Sequence, residues 1–345
     1  MKTKKKMKKS SSKMKLDDNT NEEIIDILKN HLDKMEVGYQ AKDNELSKKI
    51  YERLVSAHKE SRKIHHECSS ATDIKLQQSL QSSNFFPEEV IEHIHDTLHF
   101  QYHVKFEYKN IDFTIRLYFE GLCRVDHYID YIKWIICLCL INVSNETKET
   151  MTVDFFMTSL KKGVSHDFNQ VIQPIHVNSG FSSLGGEMYI RVYRKEEWMK
   201  VFIHECFHAF NMDFHEERLN FKNIFHHIFH IDSDFLVFES FVEFWAKILN
   251  CALFTYQLKP QMTLSQFYDI FALNLNIERI HSLLQASKIL KLFDLTYSDV
   301  VNEEKKAICK TIYKEETNSF CYYVITSLLM NFFDMTLQWF DVHNI

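Results

Sequence analysis

The segment that decides the fold is 196–213, which reads EEWMKVFIHECFHAFNMD. It contains no glycine or proline, and it is apolar on nearly every side. Just before it, residues 187–193 read EMYIRVY, in which apolar and polar side chains alternate. Alternation predicts a strand, and an unbroken apolar segment of this length predicts a helix. The sequence therefore predicts that a sheet ends at 193 and that a buried helix follows over 196–212.

Residues 204–208 within this helix read His-Glu-Cys-Phe-His, an HExxH motif. Residues four apart share a helix face, so the imidazoles of His204 and His208 can reach one metal ion. Glu205 lies about 100° further round, where it can reach a water on the metal without being a ligand. The alternative is a pair of core histidines with ordinary hydrogen bonds. A zinc site is favoured because buried polar groups in so apolar a helix need a partner.

The third ligand separates the subclasses of such sites, since catalytic zinc usually has three protein ligands and one open position. Metzincins extend the motif to HExxHxxGxxH. Here Asn211 occupies the glycine position and Phe214 the last histidine position, while His215 is one residue out of register. The metzincin pattern is therefore excluded.

The next apolar segment, 235–249, reads FLVFESFVEFWAKIL. Glu239 and Glu243 are its only acids, and their spacing of four places them on one helix face. Glutamates in an otherwise apolar helix indicate a third ligand from this segment. His230 and Asp234, in the connection before it, are the alternative third ligands.

The composition predicts a mainly helical globular protein. The chain has 345 residues, of which 45% are hydrophobic, with 29 Phe but only 6 Gly and 3 Pro. Few chain breakers and many bulky apolar residues favour helices over a sandwich or barrel. We expect an α+β fold with an N-terminal mixed sheet and helices, the HExxH helix at the join, and an all-helical C-terminal half.

Four segments are predicted along the chain. They are a disordered basic tail (1–20), a helical N-terminal region (21–100), a mixed sheet subdomain that ends in the HExxH helix (101–212), and a helical C-terminal subdomain (213–345). Besides 187–193, the predicted strands are 104–108, 111–119 and 151–158. Residues 21–83 read as helical, and further helices are predicted over 87–99, 126–140, 235–250, 263–275, 277–292, 299–313 and 317–341.

The charge of the chain is strongly uneven. The first 15 residues carry eight lysines and no acid, so the rest of the chain carries −14 although the whole carries −6. An acidic body is not expected to bind nucleic acid stably. Only the lysine-rich tail is basic enough to contact nucleic acid, acidic lipid or an import receptor, and we favour a solvated tail.

The N-terminus has no apolar stretch typical of a signal peptide, and none of the eight cysteines forms a CxxC pair. These features predict reduced thiols and a cytoplasmic protein. The best membrane candidate, 134–143, has ten residues, far short of the ~20 that a span needs. We therefore expect no membrane span.

Three stretches together resemble zinc metallopeptidases of giant DNA viruses, the mimivirus-like group. They are VNSGFSS at 177–183, YRKEEWMKVFIHECFHAFNMDF at 193–214 and FESFVEFWAKILN at 238–250. The resemblance has a weaker echo at 316–330 and does not cover the first hundred residues. It implies a gluzincin-like zincin fold, in which the strand at 187–193 is the sheet edge that pairs with an extended substrate. It also implies a location in the infected cell's cytoplasm or in the virion.

The two glutamates of 235–249 resemble the ExxxE pair of gluzincins. That resemblance implies that Glu239 binds the zinc and that Glu243 hydrogen-bonds a ligand histidine, with the reverse order as the alternative. The oxyanion formed in peptide hydrolysis needs a donor besides the metal. Tyr322 and Tyr323 can supply it, and Tyr323 is the first choice.

We expect the chain to be a zinc metallopeptidase acting on a peptide or protein, with Glu205 as the general base. His176 and Asn178, before the predicted strand, are candidates for contact with the substrate. The alternative is a non-enzymatic zinc-binding virion or host-interaction protein. A structural zinc site has no need of Glu205 and usually fills the fourth position with Cys or His, which favours the enzyme. A nucleic-acid-associated protein led by the lysine tail is a weaker option.

Overall fold

The computed structural model describes residues 45–72, 80–83, 85–143, 147–164, 171–183, 188–214, 221–259 and 262–343. The tail predicted over 1–20 lies outside these residues. All described residues belong to one unit, Gln40–Ile345.

Six strands form one mixed sheet in the order β1-β2-β3-β4-β6-β5. Strands β3, β4 and β6 are parallel to one another, while the pairs β1–β2, β2–β3 and β5–β6 are antiparallel. The bounds are β1 Glu67–Thr72, β2 Phe100–Tyr108, β3 Ile111–Phe119, β4 Glu149–Met157, β5 Gly180–Ser182 and β6 Met188–Val192.

The helices of the first part of the described chain are α1 Glu45–Ser61, α2 Glu88–Thr97, α3 Asp126–Leu140, the single turn α4 Pro174–Val177, and α5 Trp198–Ala209. After β6, the described residues form helices and connections but no sheet strand. These later helices are α6 Phe221–Ile228, α7 Val237–Leu258, α8 Leu264–Lys291, α9 Tyr297–Val300, α10 Lys306–Ile312, α11 Thr326–Asn331 and α12 Phe333–His343, with a 3₁₀ turn at Glu303–Lys305 and a π-helical segment at Phe320–Ile325. The predicted α+β class with a mixed sheet is confirmed.

The two turn residues determine the geometry of the hairpin of β2 and β3. Lys109 and Asn110 both have positive φ, 54° and 60°. This is the backbone of a type I′ turn, whose twist matches that of the flanking strands. The predicted hairpin is therefore confirmed, although β2 begins at Phe100 rather than at 104. Its first four residues read FQYH, and their pairing with both β3 and β1 extends the strand beyond the predicted start.

Two short strands were not predicted. Strand β1 lies within 21–83, which was predicted to be helical, and it reads ECSSAT. That sequence has no apolar alternation, and its extended form comes from pairing with β2 along all six residues. Strand β5 has only three residues, Gly180–Ser182, too few to show a period.

The prediction that 187–193 forms an edge of the sheet was wrong. Strand β6 pairs with β4 on one side and with β5 on the other, so it lies inside the sheet. The edge on this side is β5, antiparallel to β6 with Gly180 opposite Val192 and Ser182 opposite Ile190.

The C-terminal helices differ from the predicted ones in where they break. The predicted helices 263–275 and 277–292 form the single helix α8, which begins at a capping box between Thr263 and Gln266. The predicted helices 299–313 and 317–341 are each divided. Within the described chain, no single helix has both the length and the hydropathy to cross a bilayer. The segments Phe320–Asn331 and Phe333–Val342 reach that length and hydropathy only when taken together, and they meet at a bend of 95°.

Helix α5 is the element that places the functional groups. It packs against β5 and β6 of the sheet and against α7 and α3. Phe202 of α5 packs edge-on against Phe155 of β4, with ring centroids 5.0 Å apart. Val201, Ile203 and Cys206 are also buried, so apolar contacts hold both the sheet side and the helical side of α5.

Candidate metal centre

The site lies between the facing sides of α5 and α7. Glu239 contacts both His204 and His208, and one turn later Glu243 contacts His204 and Lys200. The contacts progress in opposite directions along the two helices, so the helices run antiparallel where they meet. Helical spacing of four on each side brings these groups into register.

Three donor atoms converge in this interface. His204 Nε2 lies 3.2 Å from His208 Nε2 and 3.2 Å from Glu239 Oε2, while His208 Nε2 lies 3.4 Å from the same carboxylate oxygen. All three residues are buried, and they form a group that can hold a metal ion. The structure thus brings together the three residues that were predicted to bind metal.

Each histidine is oriented by a carboxylate at its other ring nitrogen. His204 Nδ1 lies 3.1 Å from Glu243 Oε2, and His208 Nδ1 lies 2.8 Å from Asp213 Oδ2. A carboxylate at Nδ1 accepts its proton and leaves Nε2 free for the ion. The sequence analysis did not identify Asp213 as an orienting residue. An acid five residues after the second histidine was its only signal.

The alternative third ligands have other partners. His230 Nε2 lies 3.0 Å from Glu303 Oε2, and Asp234 accepts a bond of 2.8 Å from Lys222. Neither belongs to the metal-binding group found in the described residues.

The carboxylates and imidazoles of this group shift one another's pKa values. Burial alone would raise the pKa of Glu239, but bonds with His204 and His208 lower it to about 2. Burial would also lower the pKa of His208, but bonds with Asp213 and Glu239 raise it to about 10. Carboxylates here stabilise a positive charge on the imidazoles, and a metal ion would take the place of that charge because a metal-bound imidazole is neutral.

Two partly buried lysines hold Glu243 in place. Lys200 Nζ donates to Glu243 Oε1 at 2.8 Å, and Lys247 Nζ lies 3.7 Å from the same oxygen. Burial would lower the pKa of Lys200, but Glu243 and Glu197 raise it, so the ammonium stays charged. Both lysines were missed from the sequence. Their signal is that each is the only cation of its helix and lies four residues from a site residue.

Glu205, the predicted general base, is buried beside strand β5. The hydroxyl of Ser182 donates to Glu205 Oε2 at 2.9 Å. Burial raises the pKa of Glu205. Close approach of β5 to α5 depends on Gly180, where an added Cβ would lie 2.7 Å from Val201 Cγ1 and 2.9 Å from the Arg191 carbonyl oxygen.

We predict that Gly180→Ala destabilises the protein by about 1–3 kcal/mol, because a methyl group here overpacks the contact between strand and helix. The obstructing Arg191 oxygen is backbone and cannot rotate away. Gly121→Ala is the matched control, since nothing lies within 4 Å of a Cβ at that position. Chemical denaturation of both variants measures the difference, and equal losses of stability would show that the contact tolerates a methyl group.

Tyr322 lies beside the metal-binding group. Its ring is 5.9 Å from the ring of His204, and its hydroxyl bonds to Glu239 and Asn318. Burial raises the pKa of Tyr322 well above its usual value, as do the charges of Glu239 and Glu205. The π-helical segment that carries it is a feature often found at functional sites.

Tyr323, the first choice for the oxyanion donor, is placed differently. It packs against a cluster of buried apolar residues that includes Phe229, Phe235 and Phe320, and it lines the cleft beside the site. His176 and Asn178, expected to contact substrate, line the same cleft. The cleft has a volume of about 670 Å³ and reaches His204, Glu205 and Tyr322.

No protein-family model, no curated protein and no solved structure matches the chain. Its own residues provide a buried His–His–Glu group, a glutamate beside that group and a cleft that reaches both.

Proposed function

We propose that the chain is a zinc-dependent metallopeptidase of the gluzincin-like zincin type, in which His204, His208 and Glu239 hold the zinc ion. The observation that carries the proposal is the convergence of these three donors beside Glu205, at a point where His204 and Glu205 line the cleft. Two imidazole nitrogens and one carboxylate oxygen are a donor set of catalytic zinc sites. Calcium and magnesium prefer oxygen donors alone.

The number of donors also favours catalysis over a structural role. Structural zinc sites are closed by a fourth Cys or His, whereas catalytic sites leave that position open. The metal-binding group among the described residues has three members. Cys206 lies inside the motif, but it is a buried free thiol beside Cys139 and does not belong to this group.

Glu205 is the residue placed to move the proton. A bound zinc ion would supply a Lewis acid for the scissile carbonyl and a water acidic enough to be deprotonated near neutral pH. Ser182 engages Glu205 Oε2, which fixes the carboxylate and leaves Oε1 to accept the proton. Once protonated, Glu205 can deliver that proton to the leaving amine.

The substrate is proposed to bind as an added strand. Strand β5 ends the sheet, and its residue Ser182 contacts Glu205. An extended peptide paired with a sheet edge presents its backbone in a fixed register. The pairing role that was expected for 187–193 therefore passes to Gly180–Ser182.

Hydrolysis that depends on zinc tests this function. We expect the full-length chain, supplied with zinc, to cleave an unfolded protein, with the new termini read by mass spectrometry. A zinc chelator should stop cleavage, and added zinc should restore it. Stoichiometric zinc without any cleavage across a broad peptide library would instead support the non-enzymatic virion or host-interaction protein.

Tyr322 is proposed to donate to the oxyanion of the transition state. We predict that Tyr322→Phe lowers kcat about 10²-fold in assays with excess zinc, the usual cost of losing one such donor. Tyr323→Phe is the matched control, because it removes the neighbouring hydroxyl from the same cleft. A larger loss of kcat in Tyr323→Phe than in Tyr322→Phe would reverse the assignment.

A further inference from the structure

The cleft beside the metal centre is lined with lysines. Among the described residues, five lysines and four glutamates line it, and no arginine or aspartate does. The lysines come from four elements or connections: Lys162 precedes α4, Lys200 is on α5, Lys247 is on α7, and Lys288 and Lys291 are on α8. A chain whose charge beyond the first 15 residues is −14 thus gathers cations around its candidate active site.

The glutamates that line the cleft are already engaged by the protein. Each accepts a hydrogen bond: Glu196 from the backbone of Lys162 at 2.7 Å, Glu197 from the Lys162 side chain at 3.1 Å, Glu205 from Ser182 at 2.9 Å, and Glu243 from Lys200 at 2.8 Å. Lysines therefore compensate the charges of Glu196, Glu197 and Glu243, whereas Glu205 bonds to a neutral hydroxyl.

The lysines retain donor capacity. An ammonium group has three N–H donors. Lys200 gives one to Glu243 and lies 3.5 Å from Glu197, while Lys247 gives one to Glu278 at 2.6 Å. Their side chains are only 14% and 12% exposed, so their remaining donors lie in a setting largely shielded from water.

Helix α8 forms a further basic wall of the cleft. His281, Gln285, Lys288 and Leu292 follow one another at spacings of four, three and four, so they share one face of the helix. Lys288 is exposed on this face, whereas Lys291 is paired with Asp294 at 2.9 Å.

We propose that this cleft binds a carboxylate of the peptide substrate, received by Lys200, Lys247 and Lys288. The proposal rests on the peptidase function and deepens it, since it names the substrate class as peptides with an acidic side chain or a free C-terminal carboxylate near the scissile bond. Charge-assisted hydrogen bonds in a shielded site are strong. Cations grouped in a cleft also draw an anionic ligand toward it through the field of an otherwise acidic protein.

Binding to the full-length Glu205→Gln variant, supplied with zinc, tests the proposal without turnover. The probes are fluorescent peptides that differ only in one residue, Glu or Gln, placed at each position in turn. A second pair carries a free C-terminal carboxylate or its amide. We expect the carboxylate form of one pair to bind about tenfold more tightly, with a preference that falls as salt is added. The pair that shows the preference identifies the source of the carboxylate.

Lys288→Ala is expected to reduce this preference about threefold, because it removes an exposed cation. Lys63→Ala is the control, since Lys63 is paired with Glu60 and lies outside the cleft lining. Lys247→Met, checked for folding by circular dichroism, removes a partly buried cation and should reduce the preference further.

Equal binding of acid and amide in every pair would overturn the carboxylate subsite, and so would a preference that survives both lysine substitutions. Failure of the peptidase proposal is detected by a separate measurement, in which the peptides stay intact after incubation with the zinc-supplied wild-type protein.

Discussion

Glu205→Gln is expected to abolish peptide hydrolysis while zinc content stays at the wild-type level. An amide of almost the same shape can still accept the Ser182 hydrogen bond but cannot take a proton. Loss of a positioned general base costs about 10²–10⁴-fold in rate. His204, His208 and Glu239 are unchanged, so the donors for the metal remain. The measurements are kcat/KM and elemental analysis on the same preparation.

Glu52→Gln provides the control for Glu205→Gln. It makes the same chemical change at an exposed position of α1, outside the cleft lining. Its kcat/KM should match that of the wild type. If Glu205→Gln hydrolysed peptides at the wild-type rate, Glu205 would not be the base; if it lost zinc, its role would lie in holding the metal.

Glu239→Ala and Glu243→Ala are expected to rank in opposite order for loss of zinc affinity and for loss of fold stability. Glu239→Ala removes one of three donors, so it should weaken zinc binding more than the roughly 10–100-fold that losing an orienting residue costs. Glu243→Ala should weaken zinc less but destabilise the fold more. It removes the carboxylate that Lys200 and Lys247 share, while Glu197 and Glu278 remain as their other partners. Loss of such a partly shielded, charged hydrogen bond costs about 1–3 kcal/mol.

Competition for zinc against a chelator of known affinity measures the first quantity, and chemical denaturation of the metal-free proteins measures the second. Because the two variants are expected to exchange rank between the assays, general misfolding cannot imitate the result. A weaker zinc affinity in Glu243→Ala than in Glu239→Ala would assign the ligand to Glu243, the reverse order that the spacing alone leaves open.

The sequence predicted best those elements in which a helical or strand periodicity repeats over many residues. Helix α3 extends over Asp126–Leu140, the range expected from its apolar run. The β2–β3 hairpin follows from alternating strands around Lys109 and Asn110. Strands β1 and β5 could not be predicted, because their extended form depends on a neighbouring strand rather than on their own side chains.

The residues of the site also divide into those that a sequence pattern reveals and those that it does not. His204, His208, Glu239 and Glu243 could be proposed because helical spacing and an apolar background made them conspicuous. Ser182 reaches Glu205 from a strand that had no sequence pattern. The choice between Tyr322 and Tyr323 depends on the backbone rotation of a π-helical segment, which adjacent residues in a sequence do not reveal.

Elemental analysis of the full-length wild-type protein beside Glu239→Ala tests the central claim most directly. With both proteins folded by circular dichroism and supplied with zinc before desalting, the wild type should retain about one zinc ion per chain and Glu239→Ala far less. A folded wild-type protein without metal, or equal zinc in both proteins, would contradict the assignment of His204, His208 and Glu239 as the metal centre.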